Sequence, residues 1–370
     1  MRILVVNAGS SSLKLAVVEQ PGDRILADVE LARGSDASRH AGDDAELSAS
    51  LESLGVEQVS AVGHRVVHGG PRHAPTLVDD AVLDDIDALD ALAPLHNRVA
   101  AEAIRALARM LPDVPHVAVF DTAFHATLPE VARTYALPPE WVERLGIRRY
   151  GFHGLSVRWS VERAAALLAR DVEDLQVVVA HLGSGASVTA VRDGASVATS
   201  MGMTPLEGLV MGTRSGSIDP GAIIALLRDG MTTDELADGI SHRGGLLAVS
   251  GRTGDVRTLE AAAAQGDERA RLALDLFAAR AAAEIAAAAT ALARVDAVVF
   301  TGGIGTNAAS VRDAICARLG TLGITHRSEP AGKGDRLLPT DGDVAVLAVR
   351  AREEVIIARD AAELVTPRPR

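Results

Sequence analysis

The sequence predicts an α/β protein built on a repeated strand-turn-strand unit, and three observations carry that expectation. Short apolar runs of strand length alternate with amphipathic helical patterns along the whole chain. A strand, a Gly/Ser-rich turn and a second β-prone run open the chain and recur near its middle, so that Gly9 and Gly183 align. A third apolar strand also runs into a glycine-rich turn, at residues 301–306.

In chain order, residues 2–7 form an apolar strand, 8–12 the Ala-Gly-Ser-Ser-Ser turn, and 13–19 the returning strand. Residues 36–50, rich in Asp, Ala and Ser, read as a surface segment. A strand ends within residues 63–70, a helix covers 98–110, and a second apolar strand covers 117–120. A helix over 156–170 precedes the middle repeat: a strand at 176–180, the His181-Leu-Gly-Ser-Gly-Ala turn, a strand at 187–192, and a reverse turn at Asp193-Gly194. Asp219-Pro220 is a helix start, because proline has no amide to leave unpaired in the first turn and aspartate caps it, giving a helix over 220–228. An Ala-rich helix over 267–293 leads to the strand at 297–300, with Asn307 expected to open a helix running through 319. Residues 327–337 read as a loop, 344–349 as a strand, and 353–364 as a closing helix.

At 370 residues the chain exceeds the usual reach of one core, which suggests about two to three domains. Its 48% hydrophobic and 23% charged content is that of a soluble globular protein. The apolar run at residues 3–6 is too short for a signal peptide, and Cys316, the single cysteine, has no intramolecular disulfide partner; the expectation is a cytoplasmic protein. Residues 276–299 carry Arg280, Glu284, Arg294 and Asp296 and so do not read as a membrane span. A net charge of −12 argues against nucleic acid and anionic membranes as partners. Lys14 and Lys333 are the only lysines, so an arginine carries weight only within a tight motif.

Glycine-rich turns after strands suit phosphate, since the backbone approaches closely and its amides face the anionic oxygens. One such turn also arises for steric reasons; two repeats and a third favour a polyphosphate. Residues 303–308 fit a G-x-G-x-x-A dinucleotide fingerprint, yet no acidic residue follows at the usual spacing, and Gly332-Lys333 lacks the rest of a phosphate-binding P-loop. In the 63–70 segment Arg65 stands between His64 and His68, and zinc lacks a third ligand at recognisable spacing. Asp121 lies just past a strand, where active-site carboxylates of open α/β sheets are placed. His153 follows two arginines and an aromatic before a helix, and Arg214 sits in a Gly/Ser loop before the Asp219-Pro220 start. Each has a capping or surface alternative; it is their joint presence that matters.

Taken together, Asn7-Ala-Gly-Ser-Ser-Ser-Leu-Lys14, the 63–70 segment, Pro94-Leu-His-Asn97, Phe120-Asp-Thr-Ala-Phe-His125, Arg149-Tyr-Gly-Phe-His-Gly154 and residues 199–216 resemble the acetate kinase family over nearly the whole chain. The resemblance implies two duplicated ribonuclease H-like lobes of the actin-like ATPase fold with a cleft between them, one over 1–122 plus 353–370 and the other over 123–352. It implies reversible, direct in-line phosphoryl transfer from ATP to acetate, dependent on Mg2+ or Mn2+, in a homodimer. Asn7, Ser10, Ser12 and Lys14 then stand at the phosphate and metal end. Arg65 and Arg214 hold carboxylate and phosphoryl oxygens, His153 donates to the phosphoryl group, and Asp121 orients the acyl carboxylate or assists the metal. Glu353 joins Asn7 as a metal ligand, with Glu354 a competitor. Val67, Leu95, Phe152 and Pro205 line the acyl pocket. His181, Gly183, Ser184, Gly185, Gly302, Gly303 and Gly305 contact the nucleotide.

Four positions depart from the family pattern: Ser184 for Asn, Thr306 for Glu, Ser217 for Asp and Val157 for His. The first two bear on the nucleotide side and leave pyrophosphate as an alternative donor. Propionate or butyrate are alternative acceptors, because one methylene in an apolar pocket is worth only about 1 to 3 kcal/mol. A nucleotide-binding scaffold without turnover is the alternative of another class.

Overall fold

The computed structural model describes residues 1–9, 12–32, 44–90, 96–325, 332 and 334–366, and its chain divides into two compact units. The first comprises Met1–Ala126, Phe152–Leu155 and Arg352–Arg370, the second Thr127–Gly151 and Ser156–Ala351.

In the first unit, β1 (Arg2–Ala8), β2 (Ser12–Glu19) and β3 (Arg24–Ala32) form an antiparallel meander. Then come β4 (Ala61–Val66), the short β5 (Thr76–Leu77) and β6 (His116–Phe120). The sheet order is β3-β2-β1-β4-β6-β5, with β4 parallel to β1, β6 parallel to β4, and β5 antiparallel at the edge. β6 is buried throughout, as strands covered on both faces are. Helix Asn97–Met110 buries Ala100, Ala103, Ile104 and Leu107, and helix Glu353–Val365 buries Val355, Ile356 and Ile357.

The second unit repeats the plan: β7 (Gln176–Leu182), β8 (Ala186–Arg192) and β9 (Ala195–Thr199) form the meander. They are followed by β10 (Ala297–Thr301), β11 (Arg336–Leu338) and β12 (Ala345–Ala348). β10 is parallel to β7, β12 to β10, and β11 closes the edge antiparallel to β12. Two sheets with the same order, direction and edge strand make the alignment of Gly9 with Gly183 a duplication of structure, not only of sequence.

Three local expectations are corrected. Residues 44–50 belong to helix Asp44–Leu54, although no strong helix signal marks them, because Leu47 and Leu51, one turn apart, bury against the first unit's core. Arg336–Leu338 pairs with β12 although it begins within the expected 327–337 loop, of which 327–331 and 333 lie outside the described residues. Asn307 does not open a helix: helix Gly302–Asn307 follows β10 directly, and the Asn307 amide donates to the Gly303 carbonyl instead of capping the next helix, Ala309–Cys316. The Asp219-Pro220 start holds, with Asp219 accepting from the Gly221 amide at 2.8 Å. Among the described residues no helix is long and apolar enough to cross a membrane.

Between β4 and β6, His64 Nε2 meets His116 Nδ1 at 2.8 Å, with the rings stacked, and His116 Nε2 donates to the Leu111 carbonyl. Burial holds both rings, and His125, below the ordinary histidine range, His125 at about 4. As pH falls below about 6.5 the unfolded chain takes up these protons before the folded one, so each histidine removes up to about 1.4 kcal/mol of stability per pH unit. Asp121, raised to about 6, and Glu284, also raised by burial, act in the opposite sense, but they are two groups against three. The expected result is a melting temperature that falls steadily from pH 7 to pH 5; a flat profile would contradict neutral burial of the three rings.

Candidate active site

Because β1, β4 and β6 are parallel neighbours, their carboxyl ends lie along one edge of the first sheet, where open α/β sheets place their ligands. Asn7 is near the end of β1, Arg65 near the end of β4, and Asp121 immediately after β6, its amide bonded to the Val66 carbonyl. The Arg65 guanidinium is gripped by three oxygens. Its Nε donates to both Asp121 oxygens at 3.0 and 3.1 Å, its Nη2 to Asp121 Oδ2, and its Nη1 to Asn7 Oδ1 at 3.0 Å. Of the two adjacent glutamates that begin helix Glu353–Val365, Glu353 accepts the Asn7 amide at 2.9 Å and lies 3.5 Å from Arg65 Nε.

Burial pushes the Asp121 carboxyl up, to about 6; Arg65 and the His153 amide pull it down, and the neighbouring Glu353 charge raises it again. Burial acts to lower the Arg65 guanidinium, but the charges of Asp121 and Glu353 outweigh it and raise it. A permanently charged planar fork set between acidic groups at a sheet edge suits a carboxylate or phosphoryl ligand.

His153 joins the same unit. Phe152–Leu155 counts with the first unit, whereas the chain on either side of it counts with the second. The His153 backbone is left-handed, at φ 59°, and its amide donates to the Asp121 carboxylate. Gly154 donates to the Asp121 carbonyl at 3.0 Å, and a Cβ there would stand 2.2 Å from that oxygen, so the position requires glycine. Phe152 is buried, with its ring edge-on to His68 at 5.4 Å, and its carbonyl meets His125 Nε2 at 2.9 Å. Val67 is also buried, and Asn97 fastens the His68 backbone on both its amide and carbonyl sides. Lys14, opposite Asn7 in the β1–β2 register, is exposed and lies 3.6 Å from Glu30; Ser12 begins β2 and accepts the Gly9 amide. Ser10 and Leu95 lie outside the described residues.

In the second unit the carboxyl ends of β7 and β10 are paired, Thr301 opposite His181, which brings the 181–185 turn beside the glycine-rich first turn of helix Gly302–Asn307. Gly302 lies at φ 76°, and a Cβ there would stand 2.5 Å from the Leu182 carbonyl oxygen; one on Gly183 would lie 3.8 Å from the Gly303 amide. His181 Nδ1 meets Ser156 Oγ at 2.8 Å, Ser184 is exposed at the tip of its turn, and Gly305 accepts from Arg312 at 2.9 Å. Of the four residues read as departures, the three besides the exposed Ser184 are engaged or buried. Thr306 Oγ1 donates to the Gly302 carbonyl, Ser217 exchanges bonds with Gly208, and Val157 is fully buried. Arg214 has the Pro205 carbonyl at 3.5 Å and the Met211 sulfur at 3.9 Å, and burial lowers its guanidinium from the ordinary value. Pro205, nine positions before Arg214, is buried on a loop that Arg149 fastens through Glu207 and the Ser200 and Met201 carbonyls.

Within the first unit the structure therefore gathers Asn7, Arg65, Asp121, His153 and Glu353, and within the second it gathers the 181–185 and 302–305 turns. His125 and Asn97 carried no role in the sequence reading, although both lie in segments quoted there; the signal was their place in those segments, not their residue type.

A model of the acetokinase family matches residues 43–359. An acetate kinase of Deinococcus radiodurans is 45% identical over 392 residues, spanning 99% of this chain and 98% of the relative. An acetate kinase of Thermotoga maritima is 42% identical over 398 residues, spanning 99% of each. Among solved structures, that of Porphyromonas gingivalis acetate kinase is similar with a TM-score of 0.88 at 33% identity, covering 99% of this chain and 100% of that one. That of a propionate kinase from Francisella tularensis has a TM-score of 0.90 at 36% identity, covering 98% and 100%. The duplicated sheets are the two ribonuclease H-like lobes of the actin-like ATPase fold.

Proposed function

The chain belongs to the acetokinase family, and we propose on that footing that it transfers a phosphoryl group reversibly between ATP and acetate, giving acetyl phosphate and ADP. The observation that carries the reading is the Arg65 guanidinium held between Asp121, Asn7 and Glu353 at the sheet edge, with the strained His153 on the same carboxylate.

Phosphoryl transfer leaves little covalent chemistry to the protein; it consists of aligning the acceptor and stabilising charge on the equatorial oxygens. Arg65, its plane fixed by Asp121, binds the acetate carboxylate and then the transferring group. His153 donates to a phosphoryl oxygen, and Arg214 supplies a second guanidinium. Val67 and Phe152 receive the methyl group, and the 181–185 and 302–305 turns receive the nucleotide. Among the described residues no three His, Cys, Asp or Glu side chains form a metal cage. One carboxylate and one amide oxygen, Glu353 and Asn7, nevertheless suit Mg2+, which takes one or two carboxylates and completes its shell with phosphate and water. When bound, the ion would neutralise charge on the phosphates. We place the enzyme in the cytoplasm, where ATP is at hand.

The test mixes pure protein with ATP, Mg2+, acetate and hydroxylamine and looks for acetyl hydroxamate. Product is expected; none with acetate, propionate or butyrate, and from either ATP or pyrophosphate, would leave only the scaffold reading. The propionate kinase similarity motivates a second reading. Acetate is expected to exceed propionate in kcat/KM by about tenfold or more, judged by the worth of one methylene; the reverse order selects propionate.

Helix Pro220–Arg228 has no buried residue, yet it carries Ile224, Leu226 and Leu227 at 48%, 39% and 39% exposure, with Ile218 at 39% just before it. Large apolar side chains exposed together on one helix favour a homodimer. Ile224→Asp with Leu227→Asp is expected to convert a dimer to a monomer in sedimentation analysis; an unchanged mass would place the interface elsewhere.

A further inference from the structure

A residue with a Cβ held at φ 59° is strained and persists only where its surroundings over-determine it. His153 is held by three bonds: its own amide to the Asp121 carboxylate, the Gly154 amide to the Asp121 carbonyl, and the Phe152 carbonyl to His125 Nε2 at 2.9 Å. A carbonyl only accepts, so His125 Nε2 carries the proton and donates. His125 is 3% exposed on the short turn Ala123–Thr127 that follows Asp121. Asp121 and His125, four residues apart, thus grip the strained turn from both sides, and one loop sets the acceptor site and the His153 backbone together.

We infer that His125 is a positioning residue that fixes the left-handed turn and so aims the His153 imidazole. The inference rests on the phosphoryl-transfer reading above and adds to it a residue that touches neither substrate nor metal in that scheme. A buried imidazole suits the task because the ring is rigid, has one donor to spend on the carbonyl, and stays neutral at pH 7, burial having lowered it to about 4.

The experiment compares wild type, His125→Phe, His125→Gln, His153→Ala and the double variant His125→Phe/His153→Ala. Loss of the donor is expected to lower kcat about 10- to 100-fold, the effect of a small misplacement of a catalytic group, with the KM values for acetate and ATP changed by about threefold at most. His125→Gln, which keeps a donor near Nε2, recovers most of kcat. In the His153→Ala background, His125→Phe changes kcat by about twofold at most, because its effect runs through the imidazole already removed. Equal loss in both backgrounds, or full activity of His125→Phe, overturns the inference. If His125→Phe does not fold, His125→Asn, too short to reach the Phe152 carbonyl, takes its place against His125→Gln with the same outcomes. An inactive wild type, or a fully active His153→Ala, defeats the phosphoryl-transfer reading; an enzyme that needs His153 and ignores His125 defeats this inference alone.

Discussion

Replacing Arg65 with alanine is expected to lower kcat by about 10² to 10³, the cost of deleting a preorganised charge-stabilising donor, and also to destabilise the fold. Both effects follow from one arrangement. Asp121 has no side-chain exposure and Glu353 12%, and Arg65 is the cation between them. Removing one partner of a buried pair leaves the other desolvated, a loss of about 3 to 5 kcal/mol. Asp121 relieves part of this by taking up a proton, since burial has already raised it to about 6 and loss of Arg65 raises it further. Arg65→Lys separates the two effects: the charge returns and stability with it, but the planar fork that reaches Asp121, Asn7 and substrate together does not. Turnover measured by hydroxamate formation and melting temperature at pH 7 check the pair. Near-normal kcat in Arg65→Ala, or full kcat in Arg65→Lys, contradicts the role.

What the sequence made legible were features with a local signature. Apolar runs marked β1, β4, β6, β7 and β10, and their parallel pairing then brings Asn7, Arg65 and Asp121 to one edge. Asp219-Pro220 announced its helix because capping and the missing proline amide act within one turn. What escaped was tertiary. Helix Asp44–Leu54 exists because Leu47 and Leu51 find a core, and no window of that segment contains the core. Asn307 is a good cap by type, but its amide is satisfied by Gly303 one turn back. That Phe152–Leu155 counts with the first unit depends on Asp121 lending its carbonyl and carboxylate to residues more than two dozen positions away, and only the closeness forced by Gly154 discloses it. The His125 donor is invisible for the same reason: its acceptor is a carbonyl, which every residue has.

Replacing Arg214 with alanine is expected to lower kcat by about 10² or more, again the worth of one charge-stabilising donor, while the melting temperature falls less than in Arg65→Ala. The contrast follows from what each side chain holds. Arg65 neutralises a fully buried carboxylate, whereas for Arg214 burial is the dominant influence and lowers the guanidinium. The loop itself is fastened by main-chain bonds that outlast the side chain: Met211 to the Arg214 carbonyl at 3.1 Å, Leu246 to Met211 at 2.9 Å, Leu247 to Gly212 at 3.0 Å and Ser217 to Gly208 at 3.0 Å. A guanidinium whose burial lowers its own pKa, on a loop fastened by its own main chain, suits an anion that arrives during the reaction. Its loss therefore appears in kcat, with the KM values for ATP and acetate changed little, because the interaction is made in the transition state and not in the ground state. A raised KM at unchanged kcat would make Arg214 a ground-state binding residue, and a collapse in melting temperature would make it structural.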